Sequence, residues 1–249
     1  MHKELKNFAR SVLSLAVFLL SLTLFFFSMG PKTISVFGVH TFIVAPTSTH
    51  SFASLLFAHI QTALVPEGVT LIVVGPLTAF LAQVKVALFL AFVVAFPFLL
   101  HNVIKYLRPA LYTHERRIVF KVLFSSSALF VLGCLFAYFI IIPPTFAMLY
   151  RYAASVGATL FFGVGELVAL TFGLVFVIGI LFLLPVCMFL MSRLGLIPAD
   201  VWKTHWRYAL FSFLVISAII TPDGSGISML LLTLPLSALY GVGTIISKN

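Results

Sequence analysis

Charged residues and cysteines are scarce in this chain. Only 8% of its 249 residues are charged, six of them are acids, and two residues are cysteines. Soluble domains carry about 25% charged and about 45–50% apolar residues, whereas this chain is 62% hydrophobic. A soluble fold of this length could not bury so much apolar surface, so we predict a polytopic membrane protein. Cys134 and Cys187 both fall in apolar runs, which argues against a disulfide and favours two small core residues.

Sequence patterns for catalysis and metal binding are also missing. The seven histidines show no H-E-x-x-H spacing, and no G-x-S-x-G, Walker or kinase motif occurs. Among ionisable residues only Lys85 lies well inside an apolar run, while Glu166 and Asp223 fall near the ends of runs, where we expect them to be solvated. We therefore predict no enzyme activity, no cofactor or metal site and no nucleic-acid binding.

Long apolar runs are what the chain has instead. Six runs follow from length and breaking residues: 11–29, 80–100, 118–142, 167–191, 208–220 and 228–246. A helix needs about 20 residues to cross the hydrocarbon core, and the fifth run covers only about 20 Å. We predict an all-α polytopic fold with six transmembrane helices, in which the fifth and sixth form a short hairpin. Prolines would curve the bundle: Pro97, Pro143, Pro144, Pro185 and Pro235.

The segment 31–76 between the first two runs is long and not uniformly polar. Its apolar residues recur at helical spacing: Phe52, Leu55, Leu56, Ile60 and Leu64. This run is too short to span a membrane, so we predict a helix that lies on the outer face as a cap, with a seventh span as the alternative. No small-x-small cleavage site precedes Pro31, so we expect the first run to be a retained span rather than a signal peptide.

The basic residues are sorted between the two sides of these spans. The chain has 15 Lys and Arg and a formal charge of +9. Six spans put twelve of the 15 basic residues on one side, while Lys32 and Arg151 lie on the other. Because cations gather on the cytoplasmic side of inner membranes, we predict that both termini are cytoplasmic.

The loop between spans two and three concentrates charge. Glu115, one of six acids, is surrounded by four cations within Tyr106–Lys121: Arg108, Arg116, Arg117 and Lys121. The charge pattern leaves two alternatives open. Glu115 is either half of a solvated ion pair, worth at most about 1 kcal/mol, or an acid that docks a cationic partner. Glu4, in the basic N-terminal segment, poses the same choice.

The stretch 108–117, R-P-A-L-Y-T-H-E-R-R, closely resembles the first cytoplasmic loop of the TatC family, the C subunits of twin-arginine protein translocases. Weaker matches cover essentially the whole chain, so we predict a single domain over 1–249. In chain order these matches are Glu4-Leu5-Lys6; Pro76, Phe80 and Lys85; Gly133, Phe136, Tyr138 and Pro143; Phe172-Gly173-Leu174, Phe182, Pro185 and Gly195-Leu196; Arg207-Tyr208, 217–223, Pro235 and Leu239-Tyr240.

This resemblance implies a receptor rather than an enzyme. TatC-like proteins bind the twin-arginine signal peptides of folded cargo and recruit single-span TatA/TatB-type subunits, with transport driven by the proton-motive force. Homo-oligomers within a larger complex in the lipid bilayer are expected, in a cytoplasmic inner membrane or an organellar inner or thylakoid membrane. The matching positions imply these signal-peptide contacts: Glu4, Lys6, Tyr106, Pro109, Leu111, Tyr112, Glu115, Arg116 and Arg117.

Several positions depart from the family pattern. Thr78, Leu183 and Gly241 replace glutamates, and Met229 stands near a usual glutamine. We expect partner helices to dock by shape around Leu183, Pro185 and the short fifth helix, with Met229 at the interface and Thr171 as a weaker polar contact. The alternatives are a polytopic transporter or permease, and a degenerate TatC paralogue with a structural role.

Overall fold

Long apolar helices dominate the structure, a computed structural model that describes residues 2–36, 39–47, 50–65, 70–73, 75–107, 116–155, 161–224 and 226–247. Within these ranges the side chains of 2–9, 33–36, 39–44, 103–107, 116–120 and 161–162 are not described. The elements in order are α1 (His2–Ser28), β1 (Met29–Val36), β2 (Val39–Pro46), α2 (Phe52–Leu64), β3 (Thr70–Ile72), α3 (Pro76–Leu107), α4 (Arg116–Phe136), a π-helical turn (Ala137–Ile141), α5 (Ile142–Ser155), β4 (Phe161–Gly163), α6 (Val164–Leu181), α7 (Leu184–Arg193), α8 (Ala199–Thr204), α9 (Trp206–Ile220) and α10 (Ile227–Ile246).

Five helical segments in the described ranges are long and apolar enough to cross a membrane: Arg10–Ser28, Pro76–Asn102, Lys121–Ser155, Val164–Arg193 and Ile227–Ile246. The apolar helix α9 has 15 residues, so it is about 22 Å long. Each of the six runs found in the sequence is helical over nearly all of its length. The predicted all-α polytopic fold and its short fifth helix are therefore confirmed.

The chain forms two compact units, which we describe separately. The first unit contains Met1–Leu99 and Phe161–Phe172, and the second contains Leu100–Leu160 and Gly173–Asn249.

A β-hairpin follows α1 in the first unit, and the sequence analysis did not predict it. Strands β1 and β2 pair antiparallel from Met29 opposite Pro46 to Val36 opposite Val39. Both strands are rich in the β-branched residues that favour extended structure. The chain then passes so close to Gly30 that a Cβ there would lie 1.7 Å from the His50 carbonyl oxygen. Only glycine fits at this position.

The amphipathic helix predicted within 31–76 is confirmed as α2. Ser51 caps its first turn, because the Ser51 hydroxyl accepts a hydrogen bond from the Ser54 N–H at 3.2 Å. Ala53, Ile60 and Leu64 are buried along one helical face. The Phe52 ring contacts the rings of Phe25 and Phe26 on α1, so α2 is fixed against the end of the first span.

Aromatic contacts also hold α1, α3 and the start of α6 together in the first unit. The Phe18 and Phe98 ring centroids are 5.1 Å apart, and those of Phe89 and Phe172 are 4.4 Å apart. Strands β3 and β4 form a short parallel pair, with Leu71 opposite Phe162.

The third span extends well beyond its predicted end. The run 118–142 was expected to stop at the two prolines, but helix continues through Pro143 and Pro144 to Ser155. Because these prolines lack an N–H, the helix widens before them into the π-helical turn, where the Ile142 N–H donates to the Ala137 carbonyl. Neighbouring helices allow such interruptions within membranes.

The fourth span, predicted as one helix over 167–191, is broken between α6 and α7. Proline at position 185 cannot donate a hydrogen bond, and the Leu183 N–H bonds to the Ile180 carbonyl at 3.0 Å in a tighter turn. Cys134 on α4 is buried as predicted, but Cys187 on α7 is exposed, so the prediction that both cysteines are core residues is wrong for Cys187.

Glycines allow two close helix contacts in the second unit. A Cβ on Gly133 of α4 would lie 2.8 Å from the Phe182 side chain, and one on Gly179 of α6 would lie 2.9 Å from the Cys134 sulfur. Helix α10 packs through a face of buried residues at spacings of about four: Ser228, Leu232, Leu236, Tyr240 and Gly243. The glycines at 133, 179 and 243 are the small residues that let these membrane helices approach closely.

Candidate functional sites

The predicted signal-peptide site lies around the connection between α3 and α4. Pro109, Leu111, Tyr112 and Glu115 fall outside the described residues. The backbones of the other predicted contacts belong to helices, since Glu4 and Lys6 lie in α1, Tyr106 lies in the last turn of α3, and Arg116 and Arg117 open α4. The connection therefore has eight residues, 108–115, between Leu107 and Arg116.

The predicted partner-helix residues occupy different environments. Leu183 is half-buried at the junction of α6 and α7, and its carbonyl accepts hydrogen bonds from the N–H groups of Val186 and Cys187 at 3.0 Å. Pro185 is buried at the start of α7. Met229 is half-buried in the first turn of α10. Leu183 and Met229 therefore remain partly accessible to a partner.

Thr171 on α6 is fully buried at 0% exposure, and its hydroxyl has no hydrogen-bond partner among the described residues. The side chain of Thr171 is therefore not accessible at the surface.

Helices α7 and α10 pack closely at Gly243, which has no side chain of its own to separate them. A Cβ at this position would lie 2.5 Å from the Met188 sulfur and 3.2 Å from the Pro185 Cα. The C-terminal half of the fourth span and the end of α10 therefore form one packed element.

A buried polar cluster that the sequence analysis missed lies at the turn between α9 and α10. Asp223 is only 2% exposed, so the expectation that it is solvated is wrong, whereas Glu166 on α6 is exposed as expected. The Ser228 hydroxyl donates to the Asp223 carboxylate at 2.7 Å. The Thr145 hydroxyl on α5 is 3.5 Å from the Ser228 hydroxyl. The hydrogen bond from Ser228 replaces part of the water that this carboxylate loses on burial.

A second set of hydroxyls links α9 to α10 about one helical turn farther from the turn that joins them. The Thr233 hydroxyl is 3.1 Å from the Ser217 hydroxyl and 2.7 Å from the Met229 carbonyl. The Thr221 hydroxyl donates to the Ser217 carbonyl at 2.8 Å. The signal for these contacts was the recurrence of serine and threonine in two runs otherwise made of hydrocarbon.

The opposite end of the α9–α10 pair is fixed by aromatic side chains. The Tyr240 hydroxyl donates to the Trp202 carbonyl at 2.5 Å, and the Trp202 indole donates to the Ser192 hydroxyl at 3.0 Å. These bonds join α8 to both α7 and α10. Tryptophan and tyrosine favour the membrane–water interface, where their polar groups can be satisfied.

In the part of the chain that the structure describes, no three His, Cys, Asp or Glu residues are placed to hold a metal ion.

Comparison with known proteins gives a consistent result. The sequence model of the family described as "Sec-independent protein translocase protein (TatC)" matches residues 3–235. A TatC from Cenarchaeum symbiosum is 32% identical over 247 residues, which cover 99% of this chain and 94% of that protein. A TatC from Aquifex aeolicus is 29% identical over 217 residues, covering 86% and 89% of the two chains.

Solved structures agree with the sequence comparison. A crystal structure titled twin-arginine translocase receptor TatC superposes with a TM-score of 0.72 at 25% identity, covering 98% of this chain and 97% of that one. A second, in the detergent DDM, has a TM-score of 0.65 at 29% identity and covers 80% and 88%. These relatives are protein-translocase components rather than enzymes. The chain is a multi-pass membrane protein that belongs to the TatC family of Sec-independent protein translocase proteins.

Proposed function

We propose that this chain is the receptor of a twin-arginine translocase, which binds twin-arginine signal peptides and recruits single-span TatA/TatB-type subunits for export driven by the proton-motive force. The observation that carries the proposal is the loop 108–115, whose sequence is R-P-A-L-Y-T-H-E and which α3 and α4 flank on both sides. The solved relatives bear the name of twin-arginine translocase receptor. Assembly into homo-oligomers within a larger complex is part of the same proposal.

The proposed orientation places this loop on the cytoplasmic side of an inner membrane. Candidate spans Pro76–Asn102 and Lys121–Ser155 border the segment, so the ends that it connects lie on the same membrane side. Five long spans and the short α9 make six crossings, which bring both termini to that side. Since α9 is about 22 Å long and the hydrocarbon core is about 30 Å thick, we propose that the bilayer thins around α9.

Two acids would hold the arginine pair of the signal peptide. A guanidinium offers a planar fork that matches a carboxylate, and hydrogen bonds to charged groups contribute about 1.5–3 kcal/mol each. We assign the main contact to Glu115 and the second to Glu4. The neighbouring Arg116 and Arg117 would tune the electrostatic field in which Glu115 docks the cationic leader.

The other predicted residues would shape this site. Lys6 would complement the acid of α1, and the remaining residues of the loop and its borders would supply the apolar and rigid surface against which the leader lies: Tyr106, Pro109, Leu111 and Tyr112.

Partner helices are proposed to dock on the short hairpin and the fourth span. Residues Phe211 and Ile219 of α9 and Leu234 of α10 are 69%, 78% and 69% exposed. Leu183 offers no hydrogen bond at the family's glutamate position, so docking around Leu183, Pro185 and Met229 would depend on shape and van der Waals packing. Thr171, whose side chain is buried, was predicted to add a weaker polar contact to this interface.

Binding of a fluorescent twin-arginine leader peptide to the purified full chain tests the proposal. Glu115→Ala is expected to weaken binding by about tenfold or more, the value of one charge-assisted bond. Glu115→Asp is expected to weaken it less, since it keeps the charge but shortens the arm. The control is Glu166→Ala, which removes an exposed acid from α6 and is expected to leave binding unchanged.

Two results would contradict parts of the proposal. Normal binding by Glu115→Ala would remove Glu115 from the site. Failure of the folded wild-type chain to bind any twin-arginine leader would instead favour a degenerate paralogue with a structural role.

A further inference from the structure

An apolar cavity of about 370 Å³ opens among α4, α7 and α10, all within the second unit. Its walls include Leu129 of α4, Pro185 and Phe189 of α7, and Leu239 of α10. Of the ten lining residues only Lys121 and Ser125 are polar. The volume lies in the range of small-molecule sites, about 300–1,000 Å³.

The polar residues of the cavity are gathered at one end. Lys121 lies in the second turn of α4, and Ile246 is the last residue of α10; both line the cavity. Arg193 is the last residue of α7, and its guanidinium carbon is 5.6 Å from the ring centroid of Phe189, a lining residue. Both Lys121 and Arg193 are exposed. Two cations therefore border the end of the cavity, which we call its mouth, near which α4 begins and α7 and α10 end.

The cavity extends inward from this mouth by about half a bilayer. Lining residues of α4 run from Lys121 to Leu129, which is about 12 Å along a helix. The hydrocarbon core is about 30 Å thick, so one leaflet contributes about 15 Å. A partner's spanning helix would need a groove across the whole core. A cavity of leaflet depth with cations at its mouth fits a lipid of that leaflet.

From this arrangement we infer that the cavity is a binding site for an anionic glycerophospholipid. One acyl chain would lie between α4, α7 and α10, against Leu129, Pro185 and Leu239. The phosphate would lie between Lys121 and Arg193, because cations at the membrane surface attract anionic headgroups. This site is separate from the proposed twin-arginine contacts, but it shares Pro185 with the proposed partner-helix surface. The inference itself depends only on the chain crossing a membrane.

Native mass spectrometry of the purified full chain, after exchange into phosphatidylglycerol or phosphatidylcholine with identical acyl chains, tests the inference. Wild type is expected to retain one phosphatidylglycerol with a preference on the order of tenfold over phosphatidylcholine. Since one cation near an anionic surface is worth about fivefold, Lys121→Gln with Arg193→Gln is expected to abolish that preference. The matched control, Lys203→Gln with Arg207→Gln, removes two other cations and is expected to keep it.

A second variant separates chain binding from charge. Val242 lines the cavity and is 47% exposed, so Val242→Trp is expected to fill the space and release the retained lipid while both cations remain. Circular dichroism shows whether each variant is folded, and Leu239→Met, which keeps the apolar wall, is the control that is expected to retain the lipid.

Three results would overturn the inference. These are equal retention of the two lipids by wild type, equal loss of preference in the control and the Lys121/Arg193 variant, and photo-crosslinking from position 239 to a single-span protein instead of to lipid in native membranes.

Discussion

The two ends of α10 are built in opposite ways. At its start, Ser228 is fully buried and donates to the buried carboxylate of Asp223, and Thr145 of α5 lies beside them. At its other end, Gly243 lies directly against α7 and the helix borders an apolar cavity with cations at its mouth. The first end buries its polar groups and links them by hydrogen bonds, whereas the second leaves charge and space exposed.

This difference teaches where recognition can occur. The buried carboxylate of Asp223 accepts a hydrogen bond from Ser228 of the next helix and mainly fixes the hairpin α9–α10 in place. Exposed cations next to apolar surface can still exchange water for a ligand. We therefore assign a structural role to the Asp223 end, and recognition of lipid and signal peptide to the end that carries Lys121, Arg193 and the loop 108–115.

The largest expected effect concerns which side of the membrane each end of the helix pair faces, because labelling from outside should be complete on one side and absent on the other. In a variant without Cys134 and Cys187, single cysteines at Ser48 and Gly224 are expected to react with a membrane-impermeant maleimide added from outside. Single cysteines at Thr113 and Ser192 are expected not to react until the membrane is opened. Labelling of Thr113 from outside would invert the proposed orientation.

The hydrogen-bonded cluster at the start of α10 can be disrupted by replacing Asp223. Asp223→Ala removes the acceptor of the Ser228 hydroxyl and is expected to cost about 1.5–3 kcal/mol, the value of a hydrogen bond to a charged group. Thermal unfolding in detergent, followed by circular dichroism, measures the loss. Asp200→Ala on α8 is the control, since Asp200 is exposed. Equal stability of the two variants would show that the cluster does not hold the hairpin.

The packed end can be tested with two glycines of one helix. A Cβ on Gly241 meets nothing within 4 Å, whereas one on Gly243 lies 3.2 Å from the Pro185 backbone. Helix propensity favours alanine at both sites by about 1 kcal/mol, but overpacking costs typically 1–3 kcal/mol. Gly241→Ala is expected to raise the unfolding temperature, and Gly243→Ala to leave it unchanged or lower it. A matching rise for both would mean that α7 and α10 are not in close contact.

The long helices were predictable, because a helix that crosses the hydrocarbon core of a membrane needs an apolar run of about 20 residues. Apolar runs and breaking residues located the six helices, and helical spacing located α2 at Phe52–Leu64. Helix ends were less predictable, since prolines that stop a helix in water were accommodated at Pro143 and Pro144 by a π-helical turn. The hairpin β1–β2 was missed although its strands are rich in β-branched residues, because the helical spacing that follows it dominated the reading of the segment 31–76.

The sites differ in the same way. The stretch 108–117, which is the loop 108–115 with the first two residues of α4, carries a specific ten-residue pattern that is visible in the sequence alone. The Asp223 cluster depends on residues up to 83 positions apart, as between Thr145 and Ser228. The lipid cavity joins three separate helices. Long-range packing of this kind leaves no local pattern in a sequence, so only the structure brings these residues together.

A double-mutant cycle between Glu115 and the arginine pair of the leader tests the central assignment most directly. The affinities of wild type and Glu115→Ala are measured for a twin-arginine peptide and for the same peptide with two lysines, by titration of the purified full chain. If Glu115 binds the arginine fork, the lysine peptide loses affinity with wild type but much less with Glu115→Ala, and the coupling energy is about 1–3 kcal/mol. Additive losses, with a coupling energy near zero, would contradict the contact and with it the assignment of recognition to this loop.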